Sequence, residues 1–431
     1  MPSCFQISAN NAVYQLATVK KKLSRLPPLG SADDPFYMHL HGVVITAPIL
    51  RMLVEILNYP LPKDSSATSS TERRWDHVSI LDNCTVARVD TNSAYLEEDY
   101  CSEEDLRLLA STLACRVVSL SLQEAPQILE CLSYAPQLEN DDFSINQMSF
   151  SALDCSRLGH LVQRSVMLKN LMIIGPSNLE EPQTLGDCLA NSVHLQVLKF
   201  MRLFRPDSFQ EVGQPFLDTI IRPDGNDVVV RLLRNPQSQL KTLHIAGLHM
   251  KDRHFKAIVE ALPSSKVEEL GVQGNDIQSH GIFAFAKALP KITCLREVYL
   301  CSNPWEKSGL SFKKCGAALL RGMLTNYSIL SLTVYKWCPQ LQLAAYYFCL
   351  NWAGRRLLAT SSTVPLGLWP LVLERAGKSN NSLDDDDSTL DRRPDAIYMF
   401  LQKSPILSHI HSSYSMRNRP RKKPRAVDLQ L

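Results

Sequence analysis

The chain has 431 residues, too many for one ordinary compact core and suited to two or three domains or an elongated repeat array. Its 45% hydrophobic and 21% charged fractions are those of a folded chain, and a formal charge of +3 gives no global field for nucleic acid or a membrane surface. No run of about 18 apolar residues exists to span a bilayer, and Met1–Lys20 lacks the apolar core and cleavage site of a signal peptide. The 12 cysteines form no C-x-x-C pair, and several, such as Cys131 and Cys349, lie in apolar runs. Small buried thiols in a reducing compartment, cytosol or nucleus, are therefore expected, which makes the sequons at Asn83 and Asn326 irrelevant.

In chain order, residues 1–35 and the serine-rich Asp64–Glu72 read as flexible segments. Between them Val43–Leu57 reads as one helix interrupted near Pro48, either a cap or an insertion. A spacing of apolar residues then begins to recur. Trp75, Val78 and Ile80 precede Asn83; Val117, Leu120 and Leu122 repeat the spacing; Phe143 and Ile145 carry a weaker version. Leu168/Leu171/Ile173 and Leu195/Leu198/Phe200 stand 27 residues apart. A gap of 45 residues separates Leu195 from Leu240, so an insertion over Arg205–Asn235 is expected. Leu240/Leu243/Ile245, Val267/Leu270/Val272, Leu295/Val298/Leu300 and Ile329/Leu332/Val334 continue the series. Calling the first apolar residue of each unit position 1, positions 1, 4 and 6 are apolar. Position 9 is asparagine at Asn275 and Asn303, and at Asn83 in the weaker Trp75 unit.

The second half of the units repeats as well. Phe255–Leu262 and Ile282–Leu289 have helical apolar spacing, with Asp252 and Ser279 as expected N-caps, and each helix stops at Ala-Leu-Pro. Beyond the repeats, Leu341–Leu358 reads as a helix, Val364–Ala376 as another ending at Gly377, and Asp395–Gln402 as a third after the acidic gap 378–393. Met416–Arg425 is basic and proline-containing. It reads as a nuclear-localisation signal or nucleic-acid contact, or as a plain solvated tail.

The L-x-x-L-x-L-x-x-N-x-L pattern over 168–334 resembles the ribonuclease-inhibitor type of leucine-rich repeat. The C-terminal series of Tyr346-Tyr347, Leu350-Asn351, Ala353-Gly354-Arg355-Arg356 and the helices after it is similar to the C-terminal cap of uncharacterised algal repeat proteins. The resemblance implies an α/β leucine-rich-repeat solenoid, a curved parallel sheet inside and helices outside, with helical N- and C-terminal caps. The expected organisation is an N-terminal segment over 1–73, the solenoid over 74–340, a helical cap over 341–376, an acidic linker over 377–394, and a short helix with a basic tail over 395–431. One repeat cannot bury its own apolar face, so neighbours must stack.

Motifs for catalysis do not occur: there is no G-x-x-x-x-G-K-[ST], H-E-x-x-H or G-x-S-x-G. His39 with His41, and His409 with His411, could share a strand face, but no cysteine or carboxylate cluster completes a metal site. Asp384–Asp387 lacks the ligand spacing of a calcium loop. His244, His249 and His254 read as strand and loop surface, and Trp305 and Trp337 as core at least as much as binding aromatics. No cofactor is implied. What remains is the strand surface, where positions 3, 5 and 7 alternate away from the core. From it we single out Lys199, Thr242, His244, Glu269, Gln273, Glu297, Tyr299, Ser331 and Tyr335. Glu269 and Glu297 should stand side by side, a repulsion that a protein partner with a basic surface would relieve. The reading is a non-catalytic protein-binding scaffold or adaptor, with no small-molecule substrate and no membrane as partner, and nucleic acid not expected outside the basic tail. The alternative is an enzyme regulator, either an inhibitor or a GTPase-activating protein of the Ran-activating type. That family uses this repeat and carries an acidic tail, which Asp384–Asp387 resembles in short form.

Overall fold

A computed structural model describes residues 3–24, 36–59, 75–81, 84–88, 99–147, 149–175, 178–179, 182–202, 221, 228–307, 309–352 and 355. The expected helices over 364–376 and 395–402, the acidic run and the basic tail lie outside these residues, as does most of the expected insertion. The chain divides into two compact units, Met1–Leu341 and Gln342–Leu431. In the second, the guanidinium of Arg355 lies 4.6 Å from the centre of the Tyr347 ring.

In the first unit the described strands build one parallel sheet of eleven. In spatial order they are β1 (Ser3–Ser8), β2 (Phe36–His41), β4 (Trp75–Leu81), β6 (Val117–Gln123), β7 (Asp142–Asn146), β9 (Asn170–Ile174), β11 (Val197–Met201), β12 (Thr242–Ala246), β13 (Glu269–Gly271), β14 (Glu297–Tyr299) and β15 (Ser331–Thr333). Two minor parallel pairs flank it, β3 (Val44–Ile45) with β5 (Thr85–Val86) and β8 (Ser149–Phe150) with β10 (Asn178–Leu179). The main register is continuous. Position 4 runs across the ribbon as Phe5, Met38, Val78, Leu120, Phe143, Leu171, Leu198, Leu243, Leu270, Val298 and Leu332. All of these side chains are buried, as are their position-6 companions from Ile7 to Val334. Burying one such aliphatic side chain is worth about 1.5–3 kcal/mol, and no strand achieves it without its neighbours.

Helices connect successive strands: α1 (Ala12–Leu23), α2 (Ala47–Leu57), α3 (Glu103–Arg116), α4 (Pro126–Leu132), α5 (Ala152–Arg164), α6 (Pro182–Ala190), α7 (Val228–Arg234), α8 (Asp252–Ala261), α9 (Ser279–Ala288) and α10 (Gly309–Thr325), with α11 (Pro339–Trp352) after β15. Parallel strands repeat at about 4.8 Å, whereas packed helices need about 8–10 Å. Stacking the two layers in step therefore bends the ribbon with its strands on the concave side. The fold is an α/β leucine-rich-repeat solenoid.

Several expectations change. The boundary expected after residue 73 is absent, because β1 and β2 extend the same sheet and residues 3–24 form a strand and a helix rather than a flexible lead. Pro48 does not interrupt a helix over 43–57 but stands in the first turn of α2, where its missing N–H has no partner to lose. The expected insertion cannot reach Asn235. Helix α7 fills the outer layer of that repeat, and β11 pairs directly with β12. Asp252 and Ser279 begin their helices, one residue after the cap positions held by Lys251 and Gln278. Asp252 Oδ1 instead accepts the Gln278 N–H at 2.7 Å, capping the next repeat's helix. Beyond Ala261 and Ala288 the Leu-Pro pairs form a further 3-10 turn.

The turn leaving the strands is shared by most repeats. Position 8 adopts a left-handed backbone at Gly42, Glu124, Gly175, Gly247, Gly274 and Ser302. Its N–H donates to the position-7 carbonyl of the next repeat, as in Gly42 to Leu81 (3.1 Å), Glu124 to Asn146 (2.8 Å) and Gly274 to Cys301 (3.0 Å). Glycine recurs here because it enters that region without a Cβ clash.

Candidate functional site

The strand register places the selected residues on one face over β11–β15. Thr242, Glu269, Glu297 and Ser331 form a position-3 column, with Lys199, His244 and Tyr299 beside it at position 5. Glu269 and Glu297 are register partners on adjacent strands. Gln273 and Tyr335 follow at position 7, and Tyr335 is 72% exposed, which leaves its ring free to make contact.

The two carboxylates already have internal partners. Glu269 accepts from Thr242 Oγ1 at 3.2 Å and faces His244 Nε2 at 2.8 Å. Glu297 accepts from the Tyr299 hydroxyl at 3.0 Å. Their repulsion is thus relieved in part within the face. Burial pushes the Tyr299 hydroxyl up to about 12, with the neighbouring glutamates adding to the shift, so it stays a donor. Gly271 makes the arrangement possible. A Cβ there would lie 2.7 Å from the His244 ring, which passes over it towards Tyr299, with ring centres 5.7 Å apart. His244 is buried, not surface, and burial holds its pKa below the ordinary value against the opposing pull of Glu269.

Other expected residues are redistributed. His254 is fully buried and accepts the Lys251 N–H through Nδ1, so it belongs to the core. His249 is half-buried between Asp276, at 3.1 Å, and Arg202, at 3.2 Å. Trp305 is core and packs on Phe312, whereas Trp337 is 42% exposed and is not. Asn326 is 1% exposed and donates to the Leu289 and Ile292 carbonyls, so its sequon is inaccessible in the folded chain.

Two features escaped the sequence reading. Glu306 is a buried carboxylate whose Oε1 accepts the Tyr335 N–H at 2.8 Å, fixing the entry of that tyrosine. The strand face over β1–β7 is also chemically distinct. Its position-5 column contains His39, Ser79, Ser121 and Ser144, and its position-3 column Tyr37, His77 and Ser119. The doublet His39/His41 hinted at it, but His77 arrives from a strand 36 or more residues away.

No protein-family model and no curated protein matches the sequence. Among solved structures, the chain is similar to leiomodin-1 actin-binding site 2, with 17% identity over 35% of this chain and 97% of that one, at a TM-score of 0.27. It is also similar to the tropomodulin C-terminal domain of Caenorhabditis elegans, with 10% identity over 34% of this chain and 97% of that one, at the same TM-score. Scores of this size mark a local likeness, and the fold rests on the eleven-strand register. Among the described residues no helix is long and apolar enough to cross a membrane, and no group of histidine, cysteine and carboxylate side chains converges as a metal site.

Proposed function

We propose that the chain is a non-catalytic protein-binding scaffold that receives a partner with a basic surface on the concave face over β12–β15. The observation that carries this reading is the placement of Glu269 and Glu297 on neighbouring strands, bordered by Tyr299 and the exposed Tyr335. Carboxylates in register destabilise each other, and a cationic side chain set between them turns that cost into binding energy. Tyrosine adds a large, stiff contact area at little cost in side-chain entropy. Thr242 and His244 hold Glu269 in place, which lowers the ordering cost of association.

The test is affinity capture on the unaltered chain and on a Glu269→Lys/Glu297→Lys variant, with the captured proteins identified by mass spectrometry and their affinities measured. Basic partners should bind the variant at least about tenfold more weakly. Equal capture by both chains would defeat the reading.

A further inference from the structure

The other half of the concave face points to a second, opposite preference. His39 and His41 lie on β2, and His77 on the adjoining β4. The His39 ring centre is 5.9 Å from that of His77 and 6.5 Å from that of His41. Tyr37 stands edge-on to His77 at 6.3 Å. His77 is fixed by two hydroxyls, Ser119 Oγ at 3.0 Å from Nδ1 and Ser79 Oγ at 2.6 Å from Nε2. Ser121 and Ser144 continue the hydroxyl column at 2.7 Å from each other.

The groups facing this cluster are mostly uncharged. On β1 they are Cys4, Gln6 and Ser8, and on β6 Ser119, Ser121 and Gln123. On β4, Asp76 accepts the Phe36 N–H at 2.7 Å. Among the described residues of the next strands, Asp142 on β7 is an acid two strands from His77 and bonded to Asn170. Burial lowers the pKa of both His39 and His77, and the neighbouring imidazoles lower them further, while Asp142 opposes the shift at His77. The lowered values favour the neutral form of His39 and His77, and acidification puts positive charge onto rings whose centres lie about 6 Å apart.

We propose that the histidine-lined face over β2–β6 is a proton-gated docking surface for an anionic, carboxylate-bearing segment of a protein partner. Imidazolium rings packed together repel, and an anion laid across them removes that repulsion while accepting from the serine hydroxyls. Binding and protonation are then linked, each favouring the other. Among the described residues the cluster holds histidine and hydroxyls but no lysine or arginine, which suits a carboxylate peptide rather than the dense phosphates of nucleic acid. With acid over β13–β14 and histidine over β2–β4, the ribbon becomes bipolar at low pH and fixes the direction in which a partner lies.

The test uses the full chain and a fluorescein-labelled oligoaspartate peptide, with anisotropy read at about pH 7.5 and about pH 5.8 at constant ionic strength. The affinity should rise at least about tenfold at the lower pH. That gain should vanish in His39→Gln/His77→Gln and persist in Glu269→Gln/Glu297→Gln, so its loss or retention is separate from the fate of the basic-partner site. An affinity independent of pH, or a gain retained in the histidine variant, overturns the proposal. Tighter binding of a single-stranded oligonucleotide with the same pH dependence overturns the choice of partner. Should the double variant not fold, histidine-labelled NMR of the unaltered chain decides. The peptide should raise the titration midpoints of His39 and His77, and unmoved midpoints contradict the proposal.

Discussion

The repeats over β12–β15 and those over β1–β7 reach the same geometry with different side chains. In two repeats of the first group, those of β13 and β14, an asparagine closes the turn after the strand. Asn275 Oδ1 accepts the Leu248 and Met250 N–H groups, both at 3.0 Å, and its Nδ2 donates to the Ile245 and Val272 carbonyls at 2.7 and 2.9 Å. Asn303 repeats the arrangement one repeat later, accepting from Ile277 N–H and donating to Val272 and Leu300. In the second group, the repeat of β4 makes bonds of the same kind through Cys84, at position 10. Its sulfur accepts the Val43 N–H at 3.3 Å, and its single S–H faces the Leu81 carbonyl at 3.0 Å, with the Leu40 carbonyl farther off at 3.6 Å. The backbone groups that leave the sheet at this turn must be satisfied, and the fold accepts whichever side chain can both donate and accept there.

The largest expected effect falls on the asparagine side of this contrast. Asn275→Ala takes this partner from two buried amides and from the Ile245 carbonyl, while the Val272 carbonyl keeps Asn303 Nδ2, and should lower unfolding stability by about 3 kcal/mol in chemical denaturation. Cys84→Ala removes longer, weaker sulfur bonds and should cost about 1–2 kcal/mol. Equal losses would mean that the thiol and the amide are full equivalents. The left-handed position 8 should respond with opposite signs at two sites. Gly247→Ala (φ 70°) should destabilise by about 1 kcal/mol, and Ser302→Gly (φ 60°) should stabilise by a similar or smaller amount in the same assay.

The smallest effect is on pH dependence. His39, His77 and His244 are all held below the ordinary histidine value, chiefly by burial. A depressed histidine binds its proton less readily in the folded chain than in the unfolded one. Their contribution to stability is complete above pH 6.5 and falls as the pH drops through 6.5 towards the folded-state values. Denaturation midpoints measured on either side of that window should fall with pH, and the fall should shrink in His39→Gln.

The sheet over 168–334 was legible because leucine-type residues recur at positions 1, 4 and 6, with spacings of 27 or 28 at three of the five steps. Elsewhere that signal is missing for identifiable reasons. Before Phe143, position 1 is Asn140, fully buried, with its amide donating to the Leu113 and Val117 carbonyls. For β1 and β2, position 1 falls on Pro2 and Pro35, and the long connections over 25–35 and 60–74 break the period. The acidic and tyrosine column was readable because strand alternation fixes which residues share a face. The partnership of His244 with Glu269 was not, since it depends on the missing Cβ of Gly271. The histidine cluster is hidden in the sequence because Phe36–His41 and Trp75–Leu81 lack the 27–28-residue spacing that marks neighbouring strands elsewhere.

Amide hydrogen exchange followed by mass spectrometry tests most directly whether one ribbon runs from residue 3 to residue 333. Peptides covering Phe36–His41 and Trp75–Leu81 should be protected on the same timescale as those covering Thr242–Ala246, because all are interior strands of one sheet. Exchange across Phe36–His41 at the rate of an unstructured peptide, with Thr242–Ala246 still protected, would contradict the account.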